Sequence, residues 1–280
     1  MEATAPARLL KRERRPHLGL RTTSLAYILV LVIIPVAIIF QDGFREGAAE
    51  FWHQVTLPVA AHSIGLTLWT SALMTLLNGV MGLATTFVLV RYEFFGKKLL
   101  NSIIDLPLAI PTLVTGVMLV ILYGPQQALG QFLQERFGFQ VIFAPPGIII
   151  ALLFITFPFV VRTIQPVLLE LDRQQELAAA TLGASGFTIF RRIIFPALAL
   201  PTLSGSLLAF ARAVGEFGAI VIVAGNIPLR SQTAAVYVFG AVESENRLAA
   251  SAISIVLITI SLAIILVTNY ALQGRNDVRT

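Results

Sequence analysis

The chain has 280 residues, of which 56% are hydrophobic and only 12% are charged. Soluble domains carry about 25% charged residues, so most of this chain is expected to lie in lipid. Its net charge of +5 comes from basic residues between apolar segments rather than on one aromatic-rich face, which argues against a nucleic-acid partner. The lack of cysteine excludes disulfides and thiolate metal sites, and the three histidines are too scattered to indicate a metal site.

Six apolar segments follow a basic N-terminal segment, residues 1–23. About 20 apolar residues are enough to cross a bilayer as a helix, so each segment is predicted to be a membrane span. The predicted spans are residues 25–40, 62–90, 99–123, 147–161, 196–224 and 248–272, the fourth extended at one end. The basic stretch is long and no A-x-A site directly follows the first span, so we expect this span to be retained rather than cleaved as a signal peptide.

The distribution of Lys and Arg predicts how the spans are oriented. Six spans place both termini on one side of the membrane, together with the turn at 91–98 and the segment 162–195. These regions hold fifteen Lys and Arg residues, and the loops on the opposite side hold four. Positively charged loops stay in the cytoplasm, so a multi-pass cell-membrane protein with both termini cytoplasmic is predicted. The extracytoplasmic loops are then 41–61, 124–146 and 225–247.

One cytoplasmic segment, Glu176–Pro196, is charged at its ends and only weakly apolar between them. We expect it to form two short helices outside the bilayer. Asp172 is predicted to cap the first helix, and a break is predicted at Gly183, because Gly adopts left-handed backbone conformations. The second helix is predicted to lie at the membrane surface, with Pro196 beginning the fifth span. Its apolar stripe is Phe187, Phe190, Ile193 and Ile194, beside Arg191 and Arg192.

Arg212 and Glu216 are the only opposite charges spaced i, i+4 inside a predicted span. Charges at bilayer depth are costly and usually face a partner or an aqueous path. Two interpretations stay open: the pair neutralises itself on one packed helix face, or Arg212 lines an anion path that Glu216 shapes or gates. Asp105 is predicted to be a boundary or structural carboxylate. Asn78 and the glycines that follow it are predicted to serve helix packing.

The spacing within Glu176–Pro196 resembles the EAA loop of bacterial ABC importer membrane subunits. That loop reads Glu-Ala-Ala, three residues, Gly, nine residues, then Ile-x-Leu-Pro. Here Ala178 and Ala179 are followed at these intervals by Gly183 and by residues 193–196. The chain departs from the pattern twice, with Leu177 at the Glu position and Phe195 at the Leu position. The resemblance implies ATPase coupling through Glu176, Leu177, Ala178, Ala179, Leu182, Gly183, Ala184 and Ser185.

Further stretches resemble the sulfate and molybdate branch of these permeases. They are residues 106–124, 157–172 and 209–228. Residues 90–107, 159–168 and 209–218 together resemble the T-type (CysT-type) subunits of sulfate/thiosulfate importers. The resemblance runs from about residue 20 to 270. It implies an all-α membrane protein with six transmembrane helices of the type I ABC importer permease fold, and a cytoplasmic coupling helix between spans 4 and 5. The implied division is a basic segment (1–23), a first span with its link (24–61), the permease domain (62–272) and a tail (273–280).

The implied function is the permease subunit of an ATP-driven sulfate/thiosulfate importer, without enzymatic activity of its own. The implied partners are a homologous W-type permease subunit or a second copy, two cytoplasmic ATPase subunits, an extracytoplasmic sulfate-binding protein and membrane lipid. The chain has no G-x-x-x-x-G-K-[ST] loop, so ATP and Mg are expected on the ATPase and no cofactor on this chain.

Three other functions compete with this one. A molybdate or tungstate importer is the nearest alternative. A self-sufficient secondary anion transporter would need coupling residues in its spans and often an internal repeat, and neither is visible. A membrane-embedded enzyme would need a paired nucleophile and base or a set of metal ligands, which the sequence does not offer.

Overall fold

The computed structural model describes residues 18–276, and all regular structure in that range is helical. The predictions for residues 1–17 and 277–280 lie outside the described residues. The helices are α1 (Leu18–Ile28, continuing through Leu29–Ile33 and Ile34–Gly43), α2 (Ala48–Thr56), α3 (Pro58–Arg91), α4 (Lys97–Ala109), α5 (Thr112–Tyr123), α6 (Ala128–Phe137), α7 (Pro145–Glu170), α8 (Arg173–Thr181), α9 (Gly186–Val214), α10 (Gly218–Val223), α11 (Ala234–Glu243) and α12 (Arg247–Asn276).

Five of these helices (α1, α3, α7, α9 and α12) are long and apolar enough to cross a membrane. The sixth predicted span is broken, because α4 and α5 meet at an angle of 110°. The break follows from Pro111, since the residue before a proline is driven out of the helical region. Ile110 accordingly has an extended backbone, and α4 ends one residue earlier.

Contacts at the helix ends determine the direction of each span. Arg91, at the end of α3, binds Glu176 just beyond the end of α7, so α3 and α7 end on the same side of the molecule. The chain between them must therefore cross, and α4 and α5 together provide that crossing. Asp42 at the end of α1 and Arg247 at the start of α12 line one cavity, so these two helices run antiparallel. With α4 and α5 counted as one broken span, the described chain has six crossings.

The centre of the molecule is formed by α3, α7 and α9, which pack against one another. Glycines allow this close approach: a Cβ on Gly82 would lie 2.7 Å from the Val160 side chain, and a Cβ on Gly205 would lie 3.1 Å from the Val160 Cα. Asn78 donates a 2.9 Å hydrogen bond from α3 to the Thr156 hydroxyl on α7. The predicted packing role of Asn78 and its neighbouring glycines is confirmed.

The end of the fourth span, predicted at residue 161, is wrong. This span does extend, as predicted, but α7 runs to Glu170 and places Arg162 inside a helix instead of in a loop. The helix continues because Val160, Ile164 and Leu168 repeat at four-residue spacing, and all three are fully buried.

The boundaries of the fifth span are also wrong. The predicted second short helix is the first part of α9, which begins at Gly186 rather than at Pro196. Part of its apolar stripe packs against protein: Phe190 contacts Phe87 of α3, and Ile194 is buried. The span then ends at Val214, ten residues before the predicted end, and α10 follows as a separate helix.

Candidate coupling and translocation sites

The helix α8 is defined at both ends by local interactions. The Asp172 carboxylate accepts a 2.9 Å hydrogen bond from the Gln174 N–H, which confirms the predicted cap. At the other end Gly183 has φ +84°, its N–H donates to the Ala180 carbonyl, and the next N–H donates to the Ala179 carbonyl. This pattern is a Schellman motif, which favours Gly because it needs a left-handed residue. The predicted break is therefore confirmed at Gly183.

The outward surface of α8 and its turn carries most of the residues predicted to couple to an ATPase. No residue of α8 is buried, Leu177 is 65% exposed and Leu182 is 89% exposed. Ala178, Gly183 and Ser185 are exposed beside them, whereas Ala179 and Ala184 are half-buried. The surface is thus a patch of small residues with two exposed leucines, and the first turn of the helix adds the exposed polar side chains of Arg173, Gln174 and Gln175.

Glu176 differs from these neighbours because its carboxylate points back toward the membrane spans. It forms an ion pair with Arg91, whose side chain is only 9% exposed, while that of Glu176 is 19% exposed. Arg173 adds a second link by donating a 3.3 Å hydrogen bond to the Val90 carbonyl. The start of α8 is therefore attached to the end of α3 at two points. Neither link was predicted from the sequence.

A second arginine cluster, also missed, joins α4 to α7. The Arg162 guanidinium binds both oxygens of Asp105, at 2.7 and 2.6 Å, and donates to the Asn101 side chain (2.9 Å) and carbonyl (2.7 Å) and to the Gln165 side chain. Bidentate pairing of this kind fixes geometry as well as charge. The prediction that Asp105 is a structural carboxylate is confirmed. The continued apolar spacing past Arg162 was the signal that could have placed this arginine in a helix.

Arg212 and Glu216 form the predicted ion pair, but they do not share one helix face. Arg212 lies in the last turn of α9, whereas Glu216 lies in the break before α10. One carboxylate oxygen is 2.6 Å from the Arg212 guanidinium, and the other accepts a 3.1 Å hydrogen bond from the Ala219 N–H. Glu216 therefore connects the end of one helix to the start of the next. Its side chain is 2% exposed, while that of Arg212 is 36% exposed.

This break meets the break in the third span. A Cβ on Gly218 would collide with the Thr112 hydroxyl, and one on Gly116 would lie 2.8 Å from the Ala219 carbonyl oxygen, so α5 and α10 pack with their backbones close together. Irregular backbone at membrane depth is tolerated where it is buried in protein or lines a water-filled cavity. Arg212 thus stands beside two interrupted spans.

Buried hydroxyl groups follow α3 toward the end opposite α8. They are Ser63, Thr67, Thr70 and Ser71. Thr67 accepts a 2.8 Å hydrogen bond from the Ala234 N–H, the first residue of α11. One end of α3 therefore holds the start of α8, and a residue near its other end holds the start of α11.

A cavity of about 860 Å³ opens beside the turn between α3 and α4, on the same side of the molecule as α8. Its lining includes Glu93, Lys97, Asn101 and Leu169. The Lys97 ammonium donates a 2.7 Å hydrogen bond to the Glu93 carboxylate and lowers the pKa of that carboxyl. Within residues 18–276, no group of His, Asp and Glu side chains is arranged to hold a metal ion.

Six crossings, with an exposed small-residue helix between the fourth and fifth, define the membrane subunit of an ABC importer. Solved structures share this fold. The bacterial alginate ABC transporter in complex with alginate pentasaccharide-bound periplasmic protein contains a chain with a TM-score of 0.76 and 15% identity, covering 90% of this chain and 92% of that one. A chain of an amino acid ABC transporter with histidines has a TM-score of 0.53 and 19% identity, covering 76% and 92%. The predicted all-helical type I permease fold is confirmed.

The chain belongs to the family of binding-protein-dependent transport system inner membrane components, which matches residues 78–275. The probable sulfate transport system permease protein cysT of Nephroselmis olivacea is 43% identical over 253 residues, covering 90% of this chain and 88% of the relative. The sulfate transport system permease protein CysT of Synechocystis sp. is 41% identical over 250 residues, covering 89% and 87%. The predicted membership of the CysT-type permeases is confirmed.

Proposed function

We propose that this chain is the permease subunit of an ATP-driven sulfate importer, forming part of the path for the anion and coupling that path to partner ATPases. The assignment of sulfate as the substrate rests on one observation: this chain is 41–43% identical, over about nine-tenths of its length, to relatives named as sulfate permeases. Thiosulfate, which has the same charge and a similar shape, belongs to the same proposal. Molybdate or tungstate is the alternative substrate.

The orientation proposed for the chain puts α8 and both termini in the cytoplasm. The support is the asymmetry of fourteen Lys and Arg residues on that side, without Arg162 because it lies inside α7, against four on the other. The exposed surface of α8, with Leu177 and Leu182 protruding, then faces two cytoplasmic ATPase subunits, which bind ATP and Mg. The cavity lined by Asp42 and Arg247 lies at the opposite end, where an extracytoplasmic sulfate-binding protein would dock. A W-type homologue or a second copy completes the path.

Coupling requires that α8 approach its partner closely. Gly183 and Ala184 keep the turn after α8 small, and a Cβ on Gly183 would meet no atom of this chain within 4 Å, so the space around it is free for another subunit. We infer that α8 sits in a groove of the ATPase. Motion of the ATPases would then move α8 and the spans attached to it.

The path for the anion passes Arg212 in this proposal. Glu216 is almost fully buried and uses both oxygens, so it orients Arg212 and caps α10. The guanidinium stays partly exposed and has five N–H donors in a fixed fork, so it can still donate to a sulfate oxygen. The neighbouring carboxylate offsets its charge and keeps binding of the anion weak. A transport site must bind strongly enough to admit an ion and weakly enough to release it.

The experiment that tests this function is uptake of radiolabelled sulfate in cells lacking the chain, with and without the wild-type gene, and with excess molybdate as a competitor. The proposal expects that sulfate uptake is lost without the chain, is restored by it, and is barely reduced by molybdate. If cells lacking the chain keep sulfate uptake but lose molybdate uptake, molybdate becomes the proposed substrate, and the fold and the proposed coupling are unaffected. Uptake that persists after ATP is depleted would instead support a secondary transporter.

A further inference from the structure

The Arg91–Glu176 ion pair joins residues 85 positions apart in the sequence. Both side chains are largely removed from solvent, at 9% and 19% exposure. Exposed ion pairs contribute little because water screens them and two long side chains must be immobilised. A pair this covered differs, because removing either partner leaves the other charge poorly solvated. The pair is therefore a fixed link between α3 and α8.

The rest of α8 has few other attachments to the spans. None of its residues is buried, and beyond its own turn it contacts only the first residues of α9 appreciably. The ion pair and the Arg173–Val90 hydrogen bond are the links that connect α8 directly to α3. Without them, α8 would be held by the short connections at its two ends.

The helix at the other end of this link is suited to carry displacement across the molecule. α3 has 34 residues without a break and is therefore about 50 Å long. It packs along α7 and α9, and its Thr67 hydroxyl binds the first N–H of α11 near the far end. A movement of α8 that is transmitted through Arg91 would reach the opposite side of the membrane along one continuous helix.

We propose that Arg91 is the positioning residue of the coupling helix, and that Glu176 serves this contact within the chain rather than a contact with the ATPase. The pair transmits the movement of α8 into α3. This inference rests on the proposed function for its consequence in transport. The geometry of the link itself can be measured without any substrate.

The first test measures that geometry in the assembled, purified transporter. The chain has no cysteine, so Gln175→Cys in α8 and Phe95→Cys in the turn after α3 introduce two unique spin-label sites, both exposed and both outside the residues assigned to ATPase coupling. We expect a narrow distance distribution in the otherwise wild-type protein, a broad one with Arg91→Gln, and a narrow one again in the charge-swapped Arg91→Glu/Glu176→Arg variant. A distribution that stays narrow with Arg91→Gln would overturn the proposal, whatever the substrate.

The second test measures sulfate taken up per ATP hydrolysed in vesicles. Arg91→Gln and Glu176→Gln are each expected to lower this ratio roughly tenfold, and the charge swap to recover most of the loss, because contacting residues are strongly coupled. Lys97→Gln, which breaks the exposed Lys97–Glu93 pair in the neighbouring turn, is the matched control and should leave the ratio unchanged. A severe defect with Glu176→Gln, none with Arg91→Gln and no recovery in the swap would assign Glu176 to the ATPase instead.

Discussion

An Arg–Glu ion pair lies at the coupling end, where α8 meets α3, and another lies at the break between α9 and α10. The two pairs differ in which partner is buried. At the coupling end, Arg91 is the more buried partner and Glu176 closes over it, so the arginine is committed within the chain. At the break between α9 and α10, the carboxylate is the buried partner and the arginine keeps a third of its side chain exposed. The first arrangement holds two helices together. The second arrangement leaves a cation oriented and accessible.

The Arg162–Asp105 cluster resembles the coupling end more than the break. Its guanidinium is surrounded by acceptors from Asp105, Asn101 and Gln165, although the two charged side chains are 30% and 46% exposed. An arginine whose donors are all engaged has little capacity left for a ligand. Arg91 is closed to a ligand in another way, because its side chain is only 9% exposed even though its Nε has no hydrogen-bond partner. Arg212 differs from both arginines because it combines unused donors with an exposed side chain.

The largest expected effect concerns the coupling end. Gly183→Asp or Ala184→Glu is expected to abolish sulfate uptake while the protein stays inserted, because each adds bulk and charge at the turn that approaches the ATPase. Gly183→Asp also strains a backbone with φ +84°. Uptake and the amount of protein in the membrane check this prediction together.

The matched control for that strain is Gly96→Asp. Gly96 has the same φ of +84° and open space around it, but it lies in the turn between α3 and α4. Uptake within about threefold of wild type is expected for it, since the backbone cost alone is modest. Normal uptake by Gly183→Asp at a normal membrane level would contradict the coupling assignment of α8.

A smaller but still large effect on sulfate uptake is expected at the break between α9 and α10. Arg212→Gln removes the accessible cation and should lower sulfate uptake by about tenfold to a hundredfold, the range given by a hydrogen bond to a charged group. Arg212→Lys keeps the charge but loses the fork and should be intermediate. Normal uptake by the Arg212→Gln variant would mean that Arg212 and Glu216 only neutralise each other. It would contradict the difference drawn here between the two ion pairs.

Glu216→Gln should act more weakly and in a different way. The amide oxygen can still accept the Ala219 N–H, but the charge that orients Arg212 is lost. We expect uptake to fall by roughly fivefold to tenfold, with tighter retention of sulfate because the offsetting negative charge is gone. Efflux of preloaded sulfate from vesicles measures that retention. Faster efflux than in the wild type would contradict this account of Glu216.

The smallest effect on transport is expected for Asp105→Asn. It weakens the bidentate contact with Arg162, which is partly solvent-exposed, so we expect a loss of about 1 kcal/mol in stability. The midpoint of thermal inactivation in detergent should fall by about 2–4 °C with near-normal uptake. A strong uptake defect at unchanged stability would move Asp105 from structure to transport.

The features that the sequence predicted correctly are those with a local cause. Asp172 caps α8 because its carboxylate is within reach of the next turn, and Gly183 ends that helix because its backbone is left-handed. The long apolar segments become spans because lipid demands continuous helix. The break at Pro111 has a local signal, but the 110° angle between α4 and α5 depends on packing against α7 and α10.

The ends of apolar helices were predicted less well, because apolar content does not show where a helix stops. Residues 196–224 are mostly apolar, so the break at 215–217 was hidden within one predicted span, and Arg162 was taken for a loop residue because a charge follows an apolar run. In both places the structure follows packing: Ile164 and Leu168 bury the helix beyond Arg162, and Glu216 caps a new helix against α5.

The sequence by itself determined the class of protein, the number of crossings, the exposed helix between the fourth and fifth spans and the charge asymmetry, because each depends on composition or on spacing over a few turns. Only the tertiary structure decided which carboxylate each arginine binds. The partners of Arg91 and Arg162 lie 85 and 57 positions away, and no periodic pattern encodes a contact over that distance. The difference between a closed link and an accessible cation is therefore a property of the packed helices.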